Sequence, residues 1–266
     1  MKISFVSISL LSLSPLISAS GDWGYGEHNG PHHWGSISEA FKVCKTGKRQ
    51  SPIALKEYET DFITHENYVS EWHNTDQNLA YLNNGHAISV DLSNVQVPSF
   101  KLDCHELGLK QFHLHTPSEH IINGKRADLE AHFVFTDKQS NIFQVFGVLF
   151  NLDLLLGDHN GFFKGITQNN QPINEKDRKR EFHGLELGNL YKSVHGFQSG
   201  HVYRGSLTTP PCTETARFII SNRILPVSLR QLNILKNAVH GNNSRPIQPT
   251  NLEHKTGNLD IQACYK

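Results

Sequence analysis

Three histidines carry the first chemical reading of the chain. His113 and His115 lie two positions apart in a β-rich stretch, so both imidazoles leave the same face of one strand. His132 follows seventeen positions after His115. Between them lie the turn segment Thr116-Pro117 and the loop at Asn123-Gly124, which give the chain room to return as an antiparallel neighbour and present a third imidazole. Three neutral nitrogens leave one tetrahedral position open, which suits a catalytic zinc ion rather than a closed structural one. The spacing alone is weak evidence: with 17 histidines in 266 residues, about one H-x-H pair arises by chance. The surroundings strengthen it. Gln111 precedes His113 by two positions and Glu130 precedes His132 by two, and on a strand that offset is the same face. Each strand therefore carries its own acceptor for the second ring N–H, the contact that fixes the tautomer of a metal-bound histidine.

These residues need strands to hold them, and the middle of the chain reads as strands. Residues 87–92 alternate around Ile88, Val90 and Leu92. Residues 110–115, 129–135 and 142–150 are β-rich and bounded by turn signals such as Asn123-Gly124 and Asp137-Lys138. Residues 215–220 read as a further buried strand. Residues 228–239 form the one good helix, capped by Ser228, with Leu229, Leu232, Leu235 and Val239 as its apolar stripe. Residues 21–50 read as an irregular arm packing through Trp23, Tyr25 and Trp34. Residues 151–200 read as surface loops, with the charge run at 176–181 a solvated face. There is no internal repeat and no linker, so residues 21–266 are expected to form one domain.

Composition sets the outer bounds. With 37% hydrophobic and 19% charged residues the chain can build a core and is not a disordered one. Its 25 basic and 25 acidic residues balance, which gives no reason to expect a nucleic acid or an anionic membrane surface as partner. Residues 1–20 read as a signal peptide: one charge at Lys2, an apolar run, then the small residues Ser18-Ala19-Ser20. That run is too short and interrupted for a membrane span. The expected location is secreted or periplasmic. In an oxidising compartment Cys44, Cys104, Cys212 and Cys264 read as two disulfides, with three pairings open.

An ordered series of motifs then resembles the α-class carbonic anhydrases. It runs from Trp23-Gly24-Tyr25 through Gly47-Lys48-Arg49-Gln50-Ser51-Pro52-Ile53 and Asn84-Gly85-His86 to Gln111-Phe112-His113-Leu114-His115. It continues with Ser118-Glu119-His120, Glu130-Ala131-His132, Gly205-Ser206-Leu207-Thr208-Thr209-Pro210-Pro211-Cys212 and Arg245-Pro246. The short 116–119 connection is more like that of bacterial members. The resemblance implies a mainly β, single-domain fold: a large, mostly antiparallel twisted central sheet with short surface helices. It implies Zn2+ at the base of a cone-shaped cleft and reversible hydration of carbon dioxide by attack of a zinc-bound hydroxide. It assigns proton shuttling to His86, and orientation of His115 to the backbone carbonyl of Asn243. Thr208 is expected to donate to Glu119 and accept from the metal side, and Thr209 to bind bicarbonate. The apolar substrate needs a greasy wall, for which Val134, Val145, Leu207 and Phe218 are the candidates. Sulfonamides and small anions are the expected inhibitors.

Other features depart from the family pattern. Phe218 stands where a Trp is common, Lys110 where an apolar residue is usual and Ser89 where an Asn is frequent. Secreted relatives pair cysteines at the positions of Cys44 and Cys212, which leaves Cys104 and Cys264, outside the common pattern, as an expected second bridge. Two other functions share these residues: a zinc esterase acting on small esters, and a non-catalytic carbonic-anhydrase-like binding module. All three zinc histidines are present here, which counts against the second.

Overall fold

The computed structural model describes residues 22–56, 61–62, 72–95, 98–102, 105–136, 142–155, 157, 160–168, 175–251 and 254. The signal peptide expected at 1–20 and the bridge expected between Cys104 and Cys264 lie outside the described residues. Among the described residues eleven strands form one sheet. Its continuous order is Lys179–Leu185, Thr75–Asn83, Ile88–Asp91, His105–His115, Leu129–Thr136, Phe143–Leu152, Ala216–Ser221, Ser199–Gly205 and Asp61–Phe62. Ser99–Leu102 also pairs with His105–His115, and Leu225–Val227 with Phe143–Leu152. The sheet is mixed: Phe143–Leu152 runs parallel to Ala216–Ser221 and to Leu225–Val227, and the other pairs are antiparallel. A small second sheet joins Ala54–Leu55 to the hairpin Ile121–Ile122 and Lys125–Arg126. Its turn is Asn123-Gly124, both at positive φ (50° and 74°), as a two-residue hairpin of this hand requires.

Both faces of the sheet are covered, and alternate residues of a strand go to different cores. Phe146, Val148 and Phe150 join the larger apolar cluster with Trp72, Phe112 and Phe133, whereas Val145 and Leu149 join a second cluster with Ile53, Leu55, Tyr203 and Phe218. Burial on both sides explains the near-continuous apolar run of that strand. In Leu129–Thr136 the odd positions Leu129, Ala131, Phe133 and Phe135 face the larger cluster, which sends Glu130, His132 and Val134 to the opposite face.

The strand His105–His115 needs a bulge to do the same. Leu107 and Leu109 face the core, and so do Phe112 and Leu114. The register shifts between Leu109 and Gln111, and this one extra residue reverses the parity. Without it Gln111, His113 and His115 would share the core face of Leu107 and Leu109.

Two readings need correction. Residues 151–200 are not loops alone: they include the helices Gly161–Thr167 and Leu187–Ser193 and the sheet-edge strand Lys179–Leu185. That strand buries Phe182 and Leu185 and leaves Lys179, Glu181 and His183 exposed, so part of the charge run is one face of a strand. Gly184 at φ 73° breaks the register there and hides the period-two pattern. The C-terminal helix spans Leu229–Ala238 with Ser228 Oγ accepting from Gln231 N at 3.2 Å, yet Leu229 is 48% exposed. Its buried side comprises Gln231, Leu232, Ile234, Leu235 and Ala238. Gln231 is tolerated there because its amide bonds both backbone groups of Asn160. The other helices are short: Trp34–Ile37 and Val43–Thr46 punctuate the N-terminal arm, where Trp34 is fully buried.

Candidate metal centre and active-site cleft

The sheet register sets His113 directly opposite His132 and His115 opposite Glu130. The three imidazole centroids lie 4.8–5.4 Å apart, and one nitrogen from each lies within 4.8 Å of the others. Each ring donates its other N–H to a group that can only accept. His113 Nδ1 reaches Gln111 Oε1 at 3.0 Å, His115 Nδ1 the carbonyl of Asn243 at 2.9 Å, and His132 Nε2 Glu130 Oε1 at 2.7 Å. The lone pairs left over are on Nε2, Nε2 and Nδ1, respectively. Burial holds His113 well below the ordinary imidazole pKa and lowers His115 too, favouring the neutral form that a metal ligand needs. Burial pushes His132 the same way, but the Glu130 carboxylate outweighs it and raises the net value. Burial would raise Glu130, but His120 and His132 beside it hold its carboxyl well below the usual range, so it is ionised.

The donor set fits a zinc ion. His115 Nε2 and Glu119 Oε2 are buried without a hydrogen-bond partner and lie 3.5 Å apart. Orphaned polar atoms in so dry a site are costly, and a cation satisfies both lone pairs and carboxylate. Glu119 Oε1 accepts the backbone N–H of Arg245 at 2.9 Å. The expected hydroxyl bond from Thr208 to Glu119 Oε2 is not formed. That oxygen is turned instead toward His115 Nε2 and, at 3.8 Å, His132 Nδ1.

A cleft of about 430 Å³ reaches two of the three histidines, His113 and His115. Its lining includes Trp23, Tyr25, His86, Gln111, His113, His115 and Thr209, with Lys110 and Ser89 on the same wall. The His86 ring stacks on Trp23 with centroids 3.6 Å apart and planes 9° from parallel. Burial lowers the His86 pKa, and Lys176 nearby lowers it further. Val134, Val145 and Phe218 sit side by side on three adjacent strands, and the Phe218 ring lies 5.8 Å from that of His132. The described lining of the cleft does not reach these three or Leu207; Val145 and Phe218 are packed in the second apolar cluster.

The loop 206–212 bearing Thr208 and Thr209 is anchored at both ends. Ser51 N donates to Ser206 Oγ at 2.9 Å, Gln50 Nε2 to the carbonyl of Cys212 at 3.1 Å, and Cys212 is disulfide-bonded to Cys44. The role of Arg245 was not legible in the sequence. Its buried guanidinium donates to the carbonyls of Ser51 and Cys44 and to Gln50 Oε1, and lies 5.6 Å from the Trp34 ring centroid. Burial lowers its pKa to about 10. Only the Arg245-Pro246 pair pointed to it, and nothing in that pair reveals which carbonyls it gathers.

Comparison with known proteins bears on the family and the fold. Residues 29–256 match the family described as eukaryotic-type carbonic anhydrase. A carbonic anhydrase of Klebsiella pneumoniae is 30% identical over 253 residues, covering 94% of this chain and 98% of that protein. One from Pectobacterium atrosepticum is 31% identical, covering 92% and 96%. Among solved structures, the fungal α-carbonic anhydrase of Aspergillus oryzae superposes with a TM-score of 0.77 at 29% identity, covering 86% of this chain and 93% of that one. The α-carbonic anhydrase of Thermovibrio ammonificans, in complex with the inhibitor sulfanilamide, gives 0.69 at 30% identity, covering 87% and 97%. With its three imidazoles on adjacent strands of the same eleven-stranded sheet, the chain belongs to the eukaryotic-type, or α-class, carbonic anhydrase family.

Proposed function

We propose that the chain catalyses the reversible hydration of carbon dioxide with zinc held by His113, His115 and His132. The observation that carries this is the set of three imidazoles, each with its own acceptor, whose remaining nitrogens converge beside the unpaired Glu119 carboxylate oxygen. Zinc supplies a Lewis acid that makes a nucleophile of water at neutral pH, chemistry for which carbonic anhydrases are themselves the standard case. The rest is work for the protein. Gln111, Glu130 and the Asn243 carbonyl keep the ring protons turned away from the metal. With its Oε2 turned from His115 to the Thr208 hydroxyl, Glu119 accepts that hydrogen bond, so that the Thr208 oxygen faces the reacting water only as an acceptor. Val134 and Leu207, the least buried of the four apolar candidates, are the side proposed to meet carbon dioxide, with Val145 and Phe218 packed in the second cluster behind them and Thr209 as the polar side for bicarbonate. Sulfonamides and small anions are the proposed inhibitors, the first supported by the sulfanilamide complex of the Thermovibrio ammonificans enzyme. The Cys44–Cys212 bridge supports a secreted or periplasmic location. Stopped-flow hydration by purified protein tests the assignment: activity is lost to a chelator and restored by zinc. Zinc-loaded protein that hydrates no carbon dioxide yet cleaves an activated ester would move the assignment to an esterase.

His86 is the proposed proton shuttle. It is half-buried and lines the same cleft as His113 and His115. Its lowered pKa leaves it neutral at pH 7 and ready to accept a proton. Turnover limited by this transfer rises with pH as the neutral imidazole is populated. His86→Ala lowers kcat in weak buffer while leaving kcat/KM near wild type, and added imidazole restores kcat. A variant with equal kcat in weak and strong buffer excludes His86 from the role.

A further inference from the structure

We propose that a hollow between the hairpin at 121–126 and the ends of the neighbouring sheet strands binds a small oxyanion of the phosphate or bicarbonate kind. It is a second site: none of its lining residues belongs to the cleft that reaches His113 and His115.

The sheet register builds the hollow. Phe143–Leu152 and Ala216–Ser221 run parallel and finish at the same end of the sheet. Leu129–Thr136 and Ser199–Gly205, antiparallel to them, start there. The hairpin of Ile121–Ile122 and Lys125–Arg126 comes just before Leu129–Thr136, so its second strand is delivered to the same place. The result is a space of about 220 Å³ lined by Lys125, Arg126, Asn151, His201 and Asn222, with Ile122 as an apolar side. His201, 2% exposed, is the most deeply buried of these.

The chemistry of the lining is one-sided. Arg126 Nη1 donates to the carbonyl of Ser118, which fixes the guanidinium, and among the described residues nothing accepts from its Nε or Nη2. Nor does any described residue accept from the Lys125 ammonium or the Asn151 amide. Asn222 Oδ1 accepts from Ser199 Oγ at 3.2 Å, which leaves its Nδ2 as a donor. No carboxylate is in the described lining; Asp128, two residues after Arg126, instead accepts the backbone N–H of Leu152 on Oδ2 at 2.8 Å. Two cations and two amide donors without an acidic partner suit a ligand with several acceptor oxygens and negative charge, and they repel a metal ion. The space is smaller than the roughly 300–1,000 Å³ of pockets for drug-sized molecules, which favours a compact anion over an extended one.

The test is calorimetric titration of inorganic phosphate into zinc-loaded protein saturated with sulfanilamide, so that the open metal position is already filled. One phosphate binds per chain, and Tm rises with phosphate concentration, as a ligand of the native state requires. Lys125→Gln, which leaves Arg126 on Ser118, weakens phosphate roughly 10-fold, the loss of one charge-assisted contact. Lys125→Gln with Arg126→Gln removes saturable binding over the same concentration range. Lys236→Gln, the same charge change at an exposed position of the C-terminal helix, leaves Kd unchanged. Sulfate and bicarbonate each displace phosphate, and their relative strength separates the possible sources of the anion. Wild-type protein with no saturable phosphate binding overturns the proposal, and so does an unchanged Kd in folded Lys125→Gln. Phosphate held by the metal centre instead is kept by the double variant and lost on zinc removal, which also overturns it.

Discussion

His132→Ala abolishes zinc binding and carbon dioxide hydration together. The residue is central to the site in two senses. Its Nδ1 is one of three convergent nitrogens, and two imidazoles alone hold zinc far more weakly than three with an open fourth position. Its Nε2–H is also one of the four donors to the buried Glu130 carboxylate. Truncation therefore removes a ligand and leaves Glu130 ionised with one donor fewer, which adds a stability loss of about 1–3 kcal/mol. His113→Ala removes a ligand without touching Glu130, so it loses zinc and activity with a smaller drop in Tm. Glu130→Ala keeps all three ligands and loosens zinc by roughly 10–100-fold. Metal content by mass spectrometry, hydration rate and Tm on the three variants give the comparison. Full activity or stoichiometric zinc in His132→Ala removes the residue from the ligand set.

What could be read in advance divides by the kind of signal each residue leaves. The acceptors Gln111 and Glu130 were legible because a strand repeats every two residues, and the offset of two needs nothing but local geometry. The Ser228 cap was legible for the same reason. The bulge at Lys110 was not: one inserted residue has no compositional mark, yet it reverses the parity that would otherwise bury His113 and His115 beside Leu107 and Leu109. Period-two reading across residues 107–115 puts the histidines on the wrong face, and only the pairing with Leu129–Thr136 shows the correction. The carbonyl of Asn243 lies 128 positions from His115 and is a backbone group, so its side chain says nothing of it; only the family resemblance pointed there. His120 and Tyr203, 83 positions apart, were unremarkable in isolation because their partnership is made by the fold. Local chemistry was therefore readable, and long-range chemistry was readable only where a motif carried it.

Breaking the Cys44–Cys212 bridge costs more stability than any single hydrogen bond in the molecule. The bridge closes a loop with a sequence separation of 168. In the chain-entropy picture a loop of that size restricts the unfolded ensemble by about 5 kcal/mol as an upper value, a large share of the roughly 5–15 kcal/mol by which domains are stable. For a chain of this length that corresponds to a fall in Tm of about 10–15 °C. The effect on the site is smaller, because the Thr208 loop has other anchors: the paired Ser51–Ser206 bonds, Gln50 to the carbonyl of Cys212, and Leu207 N to Thr213 O at 3.0 Å. Arg245, which donates to the carbonyl of Cys44 and whose backbone N–H holds Glu119, keeps the arm in register when the sulfurs part. Reduced protein at room temperature therefore retains most of its hydration rate, and loses it on mild warming that the oxidised protein survives. Reduction of the wild type is the cleaner arm of the experiment. Cys44→Ala with Cys212→Ala also removes two buried sulfurs from a cluster containing Trp34 and Phe41, and it falls further by the packing lost. A Tm within about 2 °C of the oxidised value after complete reduction, checked by thiol titration, would show that the hydrogen bonds around Ser51 and Arg245 hold the arm without help from the bridge.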